Sequence, residues 1–233
     1  MKALNSKIVA ILCLIVFSKS KVQGWTDDPT YGFEELPLNT SLYHIQKPYD
    51  LPVSDRYSFI DGVHELWVFS TDKPLSHNSP THPRTEIMIQ KLEILLVSKT
   101  CSHFEGYEYY SGVWQFEGCG YVPNGTTGVC IMQVFGADPP RATTFMLRVY
   151  NGSLFYYADS LLQSDIYDKW FRLNVIHDVG ASNVKIYIDG VHKFEATGRG
   201  GTFHYFKCGV YGQDGMSPCM ESRWKGIRVL KKL

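Results

Sequence analysis

From residue 57 onward, apolar and polar positions alternate with a period of two, the pattern of half-buried β-strands. The runs 111–122, 128–136, 143–158 and 170–180 each read as strands. Asn151-Gly152 divides 143–158 into two alternating halves, and Asp189-Gly190 divides 183–196 in the same way. Both dipeptides favour a two-residue hairpin turn, where each central residue takes a positive φ. Strand-like runs recur at roughly ten-residue spacing and no long amphipathic helix separates them, which predicts an all-β antiparallel sandwich or jelly roll. With no Pro/Ser-rich linker, residues 25–233 read as one domain.

The first 24 residues are different. Lys2 and Lys7 precede an uninterrupted apolar run at 8–17, and Val22-Gln23-Gly24 offers small residues before Trp25. This is the layout of a secretory signal peptide. Ten apolar residues are about half of the ~20 a membrane-crossing helix needs, so no transmembrane span is expected. The expected destination is the secretory pathway, ending outside the cell, in the cell wall, or in a vacuole. Three sequons agree with that route: Asn39, Asn124 and Asn151 are read as glycan acceptors, the last two before a turn-forming Gly.

The segment also changes the charge. Lys+Arg and Asp+Glu are 23 each over 233 residues, but 1–24 holds four Lys and no acid, leaving 19 against 23. A mildly acidic body lacks the concentrated positive charge that nucleic-acid binding requires. At 44% hydrophobic the chain has ample material for a core. Once Cys13 leaves with the leader, five cysteines remain, an odd number for an oxidising route. Setting Cys101 aside leaves Cys119, Cys130, Cys208 and Cys219, which allow three connectivities. Closeness along the chain favours Cys119 with Cys130 and Cys208 with Cys219. No C-x-x-C or His/Cys cluster has zinc-ligand spacing, and neither a metal nor another cofactor is expected.

In three segments, alternation sorts polar groups onto one face. In 83–90, Arg84, Glu86, Met88 and Gln90 oppose Thr85, Ile87 and Ile89. In 131–136, Gln133 and Phe135 oppose Met132 and Val134. In 204–213, Tyr205, Lys207, Gly209, Tyr211 and Gln213 oppose Phe206, Cys208, Val210 and Gly212. Arg, Lys, amide and phenol groups together suit a groove that holds a carboxylate. By contrast His82, His177, His192 and His204 are scattered and read as solvated or core histidines. Lys225, Arg228, Lys231 and Lys232 read as a charged edge strand.

PRTEI (83–87), QVF (133–135) and YFKCGVYGQ (205–213) resemble, in order and spacing, the three signature strands of the alginate lyase-like jelly-roll family. GVWQFEG (112–118), VCIMQVFG (129–136) and MESRWKGIRVLKK (220–232) resemble its plant citrate-binding subgroup. The resemblance covers about residues 30–233 and implies a concanavalin A-like sandwich with a concave cleft. The family's lyases cleave uronate polymers by β-elimination. By that likeness Arg84 and Gln133 would neutralise the sugar carboxylate and Tyr211 would protonate the leaving oxygen. Lys207 and Gln213 would line the cleft, with Glu86 counted among the ligand-binding residues.

Two positions depart from the family pattern. Phe135 stands where a histidine base is expected, and Met88 where the R-T-E strand usually ends in another Arg. Phe cannot accept a proton at any pH. A phenol, with an ordinary pKa of about 10, is a poor substitute base at neutral pH. The expectation is therefore a non-catalytic protein holding a small polycarboxylate, citrate-like, or an acidic oligosaccharide. The alternative is a polyuronate lyase with Tyr211 as both acid and base. In the subgroup the R-T-E strand runs almost directly into the GYxYxSGVWQFEG strand. The dense apolar clump within 91–105 interrupts that continuity and reads as an insert or gene-model artefact.

Overall fold

The computed structural model describes residues 28–89 and 107–233. The leader-like 1–24 and the 91–105 stretch, with Gln90 and Cys101, lie outside the described residues. Along the chain the strands are β1 (Phe33–Glu35), β2 (Tyr43–Gln46), β3 (Tyr57–Ile60), β4 (Val63–Phe69) and β5 (Arg84–Ile89). Then follow β6 (Val113–Tyr121), β7 (Val129–Phe135), β8 (Thr143–Tyr150), β9 (Ser153–Tyr156) and β10 (Ser160–Gln163). Last come β11 (Trp170–Asp178), β12 (Asn183–Ile188), β13 (Val191–Thr197), β14 (Tyr205–Gly212) and β15 (Cys219–Lys232).

All strand pairs are antiparallel and form two sheets. One sheet runs β13-β12-β11-β6-β15-β4-β3, with β1 also paired to β15; the other runs β10-β9-β8-β7-β14-β5-β2. The expected sandwich is what the chain forms. Both predicted hairpin turns are present, with φ of 48° and 75° at Asn151-Gly152 and 53° and 79° at Asp189-Gly190. The Asp189 carboxylate also accepts the Arg172 N–H at 2.8 Å.

The core lies between the sheets and is built from alternate residues of each strand. Phe116 and Trp224 of the first sheet meet edge-on at 5.7 Å, and Phe116 reaches Phe206 of the second at 5.9 Å. Each such side chain contributes about 1.5–3 kcal/mol on burial. Gly118 and Gly120 face the core on β6 because those rings fill the space. A Cβ at Gly120 would lie 2.8 Å from the Phe171 ring. Ser222, fully buried on β15, donates to the Gly209 carbonyl of β14 at 2.7 Å and so joins the two sheets.

Several expectations change. β15 is an interior strand, paired to β6 on one side and to β4 and β1 on the other, so its basic residues guard no edge. They instead lie over neighbours: Lys225 over the Trp170 ring at 4.1 Å, and Arg228 bonded to Glu117 and Glu35. Neither local cysteine pair forms. Cys119 and Cys130 lie on β6 and β7, and Cys208 and Cys219 on β14 and β15, each pair divided between the two sheets. Packed sheets stand about 10 Å apart, and a disulfide needs Cα atoms within about 7 Å.

Two of the scattered histidines, His82 and His192, are exposed, while His177 and His204 are in the interior. Their rings meet edge-on at 4.6 Å, and Tyr109 Oη bonds His177 Nδ1 at 3.0 Å. Burial holds both imidazoles below their ordinary range, His177 to about 3. His64, between Tyr57 and Phe59, is held to about 4 for the same reason. No helix among the described residues is long and apolar enough to cross a membrane.

Candidate functional site

The second sheet turns Ile87, Ile89, Met132, Val134, Phe145, Leu147, Phe206 and Val210 into the core. Alternation therefore puts the intervening residues of β5, β14, β7 and β8 on its opposite face. Register lines them up in rows. Arg84, Tyr211, Cys130 and Arg148 are successive cross-strand partners from β5 to β8. Met88, Lys207, Gln133 and Met146 form a parallel row, and Gln46 pairs with Glu86, which pairs with Gly209.

Glu86 is the hub. Its Oε1 accepts from Gln133 Nε2 at 2.5 Å. Its Oε2 faces Arg84 at 3.3 Å and Lys207 Nζ at 3.9 Å. Lys207 also donates to Gln46 Oε1 at 2.9 Å. Exposure is 1% for Glu86, 2% for Lys207 and 8% for Arg84, so these charges interact with little solvent between them. Burial lowers the pKa of Lys207, with Glu86 pulling the other way. The Arg84 guanidinium carbon stands 3.7 Å from the Tyr211 ring centroid, stacking that phenol in place.

Of the residues singled out in the sequence, Arg84, Glu86, Gln133, Lys207 and Tyr211 come together. Phe135 adjoins them, stacked on Tyr205 at 4.8 Å with the Lys207 ammonium 5.1 Å from its ring. Gln213 makes no hydrogen bond to this cluster; its amide donates to the carbonyls of Gly212 and Tyr211 at 2.8 and 3.2 Å. Glu86 is the carboxylate on which Gln133, Arg84 and Lys207 converge, so it holds these side chains in place. Arg148 and Gln46 were missed. Arg148 shares its outward face with Met146 in 143–150, so the alternation rule applied to β5, β7 and β14 would have found it.

The donors are not all used. Arg84 Nε and Arg148 Nε are buried without a hydrogen-bond partner, on the two sides of Tyr211 and Cys130. A buried donor without an acceptor costs about 1–3 kcal/mol, and a carboxylate would recover it only after the guanidinium turns, because both nitrogens are shielded from solvent. Cys130 offers no thiolate to this row, because burial foremost and Glu86 next push its pKa up.

Gly209 sets the spacing of the site. Its φ is 145°, and a Cβ there would lie 2.3 Å from the Thr85 carbonyl oxygen and 2.8 Å from Glu86 Cα. Gly209→Ala is expected to lower stability by about 2 kcal/mol by forcing β14 away from β5. Chemical denaturation would measure it; an unchanged midpoint would mean that the strands separate without cost.

A two-sheet antiparallel sandwich with an arginine, glutamine, lysine and tyrosine on one sheet face defines the class. The alginate lyase family model matches residues 36–231, and the chain belongs to that family. Within it, the chain is 48% identical over 223 residues to a citrate-binding protein of Hevea brasiliensis, covering 95% of this chain and 87% of the relative. It falls in the alginate lyase-like, citrate-binding subgroup.

Solved structures share the fold. The alginate lyase AlgAT5 of polysaccharide lyase family 7 superposes with a TM-score of 0.60 at 15% identity, over 83% of this chain and 95% of its own. An alginate lyase from Corynebacterium sp. gives 0.57 at 15% identity, over 84% and 91%.

Proposed function

We propose that this protein binds a small polycarboxylate, citrate or a compound like it, on the outward face of β5, β14, β7 and β8 without cleaving it. The observation that carries the reading is the row Arg84, Tyr211, Cys130 and Arg148, which sets a guanidinium on either side of the Tyr211–Cys130 pair. Arg84, Lys207 and Arg148 outnumber the single Glu86 carboxylate there, so the face attracts anions. Guanidinium groups on two sides of the row suit a ligand with more than one carboxylate, each accepting charge-assisted hydrogen bonds. The citrate-binding relative supports the same ligand class.

Calorimetric titration of the purified chain with citrate is the test. Arg84→Ala is expected to weaken binding by about 10–100-fold, the worth of a charge-assisted hydrogen bond at 1.5–3 kcal/mol. No heat with either citrate or oligouronates in the unaltered chain would end the proposal. The reading extends to a secretory-pathway glycoprotein, for which the exposure of Asn39, Asn124 and Asn151 leaves room for glycans.

One observation favours a second reading, a polyuronate lyase: Tyr211, Arg84 and Gln133 share this face in a fold common to alginate lyases. Elimination creates an unsaturated uronate that absorbs in the ultraviolet. The binding reading expects a flat trace on a panel of polyuronates; absorbance that Tyr211→Phe abolishes would establish the lyase. If the scaffold lacks only its base, Phe135→His should raise elimination by about 10²–10⁴-fold.

A further inference from the structure

We propose that the chain carries a second ligand site beside the polar face, a hollow that takes a planar aromatic carboxylate. It has a volume of about 310 Å³, and its lining includes Phe135, Gly136, Ala137, Arg141, Thr202 and Phe203. That is at the lower end of the ~300–1,000 Å³ typical of small-molecule sites. Arg84 and Lys207, the cations of the polar face, are not in this lining; Phe135 borders both, with the Lys207 ammonium 5.1 Å from its ring, so the hollow adjoins that face.

Two loops form the walls, one after β7 and one before β14; two hydrogen bonds join them, and two more tie them to β8 and close the first loop on itself. Asp138 N–H donates to the Arg199 carbonyl at 2.9 Å, and Gly201 N–H to Asp138 Oδ1 at 3.0 Å. Arg199 N–H donates to Thr144 Oγ1 at 3.0 Å, and Gly136 N–H to the Ala142 carbonyl at 2.9 Å. A Cβ at Gly136 would lie 2.0 Å from the Phe203 carbonyl oxygen, so glycine is what lets the loops approach. The cavity is thus held open before any ligand arrives, which lowers the ordering cost of binding.

Its chemistry selects the occupant. Phe135 and Phe203 present rings 6.2 Å apart, each backed by Tyr205 at 4.8 and 6.1 Å. Phe203 is 38% exposed, an apolar ring left open to solvent beside the hollow. A flat aromatic ring stacked there gains about 0.5–1.5 kcal/mol beyond its area burial. Arg141 supplies the positive charge for a carboxylate on the same molecule. A pyranose ring fits less well. Its several hydroxyls would meet one side-chain hydroxyl, Thr202, and one guanidinium, and unmatched polar groups are costly to bury.

Calorimetry on the full chain with cinnamate, 3-cyclohexylpropanoate, cinnamyl alcohol and glucuronate, and citrate in parallel, tests the site. Cinnamate should bind, and the saturated-ring acid, the neutral alcohol and the sugar acid should each be at least tenfold weaker. Phe203→Ala and Arg141→Gln should each weaken cinnamate tenfold and leave the heat of citrate unchanged. Ala142→Trp, on an exposed stretch of the same lining, should block cinnamate without touching the core. The site is overturned by absence of cinnamate heat, by equal affinity for glucuronate or the saturated acid, or by cinnamate binding unchanged in Phe203→Ala and Ala142→Trp. Cinnamate binding in a chain that ignores citrate would support this site and count against the polar-face reading instead.

Discussion

Glu86→Gln is expected to cost about 3–5 kcal/mol of stability, the price of leaving buried charges without their partner. Glu86 is the carboxylate shared by Arg84 and Lys207, and both cations are almost wholly buried. Glutamine keeps the shape and can still accept from Gln133, so the loss isolates the charge rather than the packing. Added citrate should return part of the stability in this variant, because it offers the stranded donors a replacement anion. Urea denaturation with and without citrate measures both effects. A loss below about 1 kcal/mol would mean that water, rather than Glu86, balances the two cations.

Acid should weaken the fold through its interior histidines. His177 and His64 are held to about 3 and about 4 in the folded chain by burial. Unfolded, each imidazole takes a proton near ~6.5. Below that pH the unfolded chain binds protons that the folded chain refuses, so stability falls as pH drops from about 7.5 toward 4. At pH 5 the loss is about 2 kcal/mol for each of the two, and His204, lowered in the same direction, adds to it. Tyr109, His204 and Asp178 surround His177; of these, Asp178 alone draws its pKa upward. Denaturation midpoints at pH 7.5 and 5.0 would show the drop, and His64→Gln should make it smaller by about 2 kcal/mol. A midpoint constant across that interval would show that these rings titrate as they do in water.

What could be read from the sequence was local periodicity. The faces of β5, β7 and β14 were legible because strict alternation holds across Arg84–Met88, Gln133–Phe135 and Tyr205–Tyr211. The Asn151-Gly152 and Asp189-Gly190 hairpins were legible because the turn chemistry is confined to two residues. The place of β15 between β6 and β4 was not, since the neighbours of a strand are fixed by packing rather than by its own pattern. Gln46 sits on a four-residue strand too short to display a period. The role of Glu86 was hidden for another reason: alternation tells which face a carboxylate occupies, not that three donors converge on it. The cysteines misled because closeness along the chain says nothing about a crossing from one sheet to the other.

β14, between β5 and β7, supplies Tyr205, Lys207 and Tyr211, while Gln46, bonded to Lys207, lies 161 residues away along the chain. No fragment of the chain can therefore hold the polar face together, and a ligand seated there binds only the completed sandwich. Its concentration then becomes a variable of folding: at one hundred times Kd it adds about 2.7 kcal/mol to the stability of the whole chain. That offsets part of the roughly 4 kcal/mol that His177 and His64 together remove at pH 5, so a ligand held on the polar face would move the acid midpoint of the whole chain to lower pH.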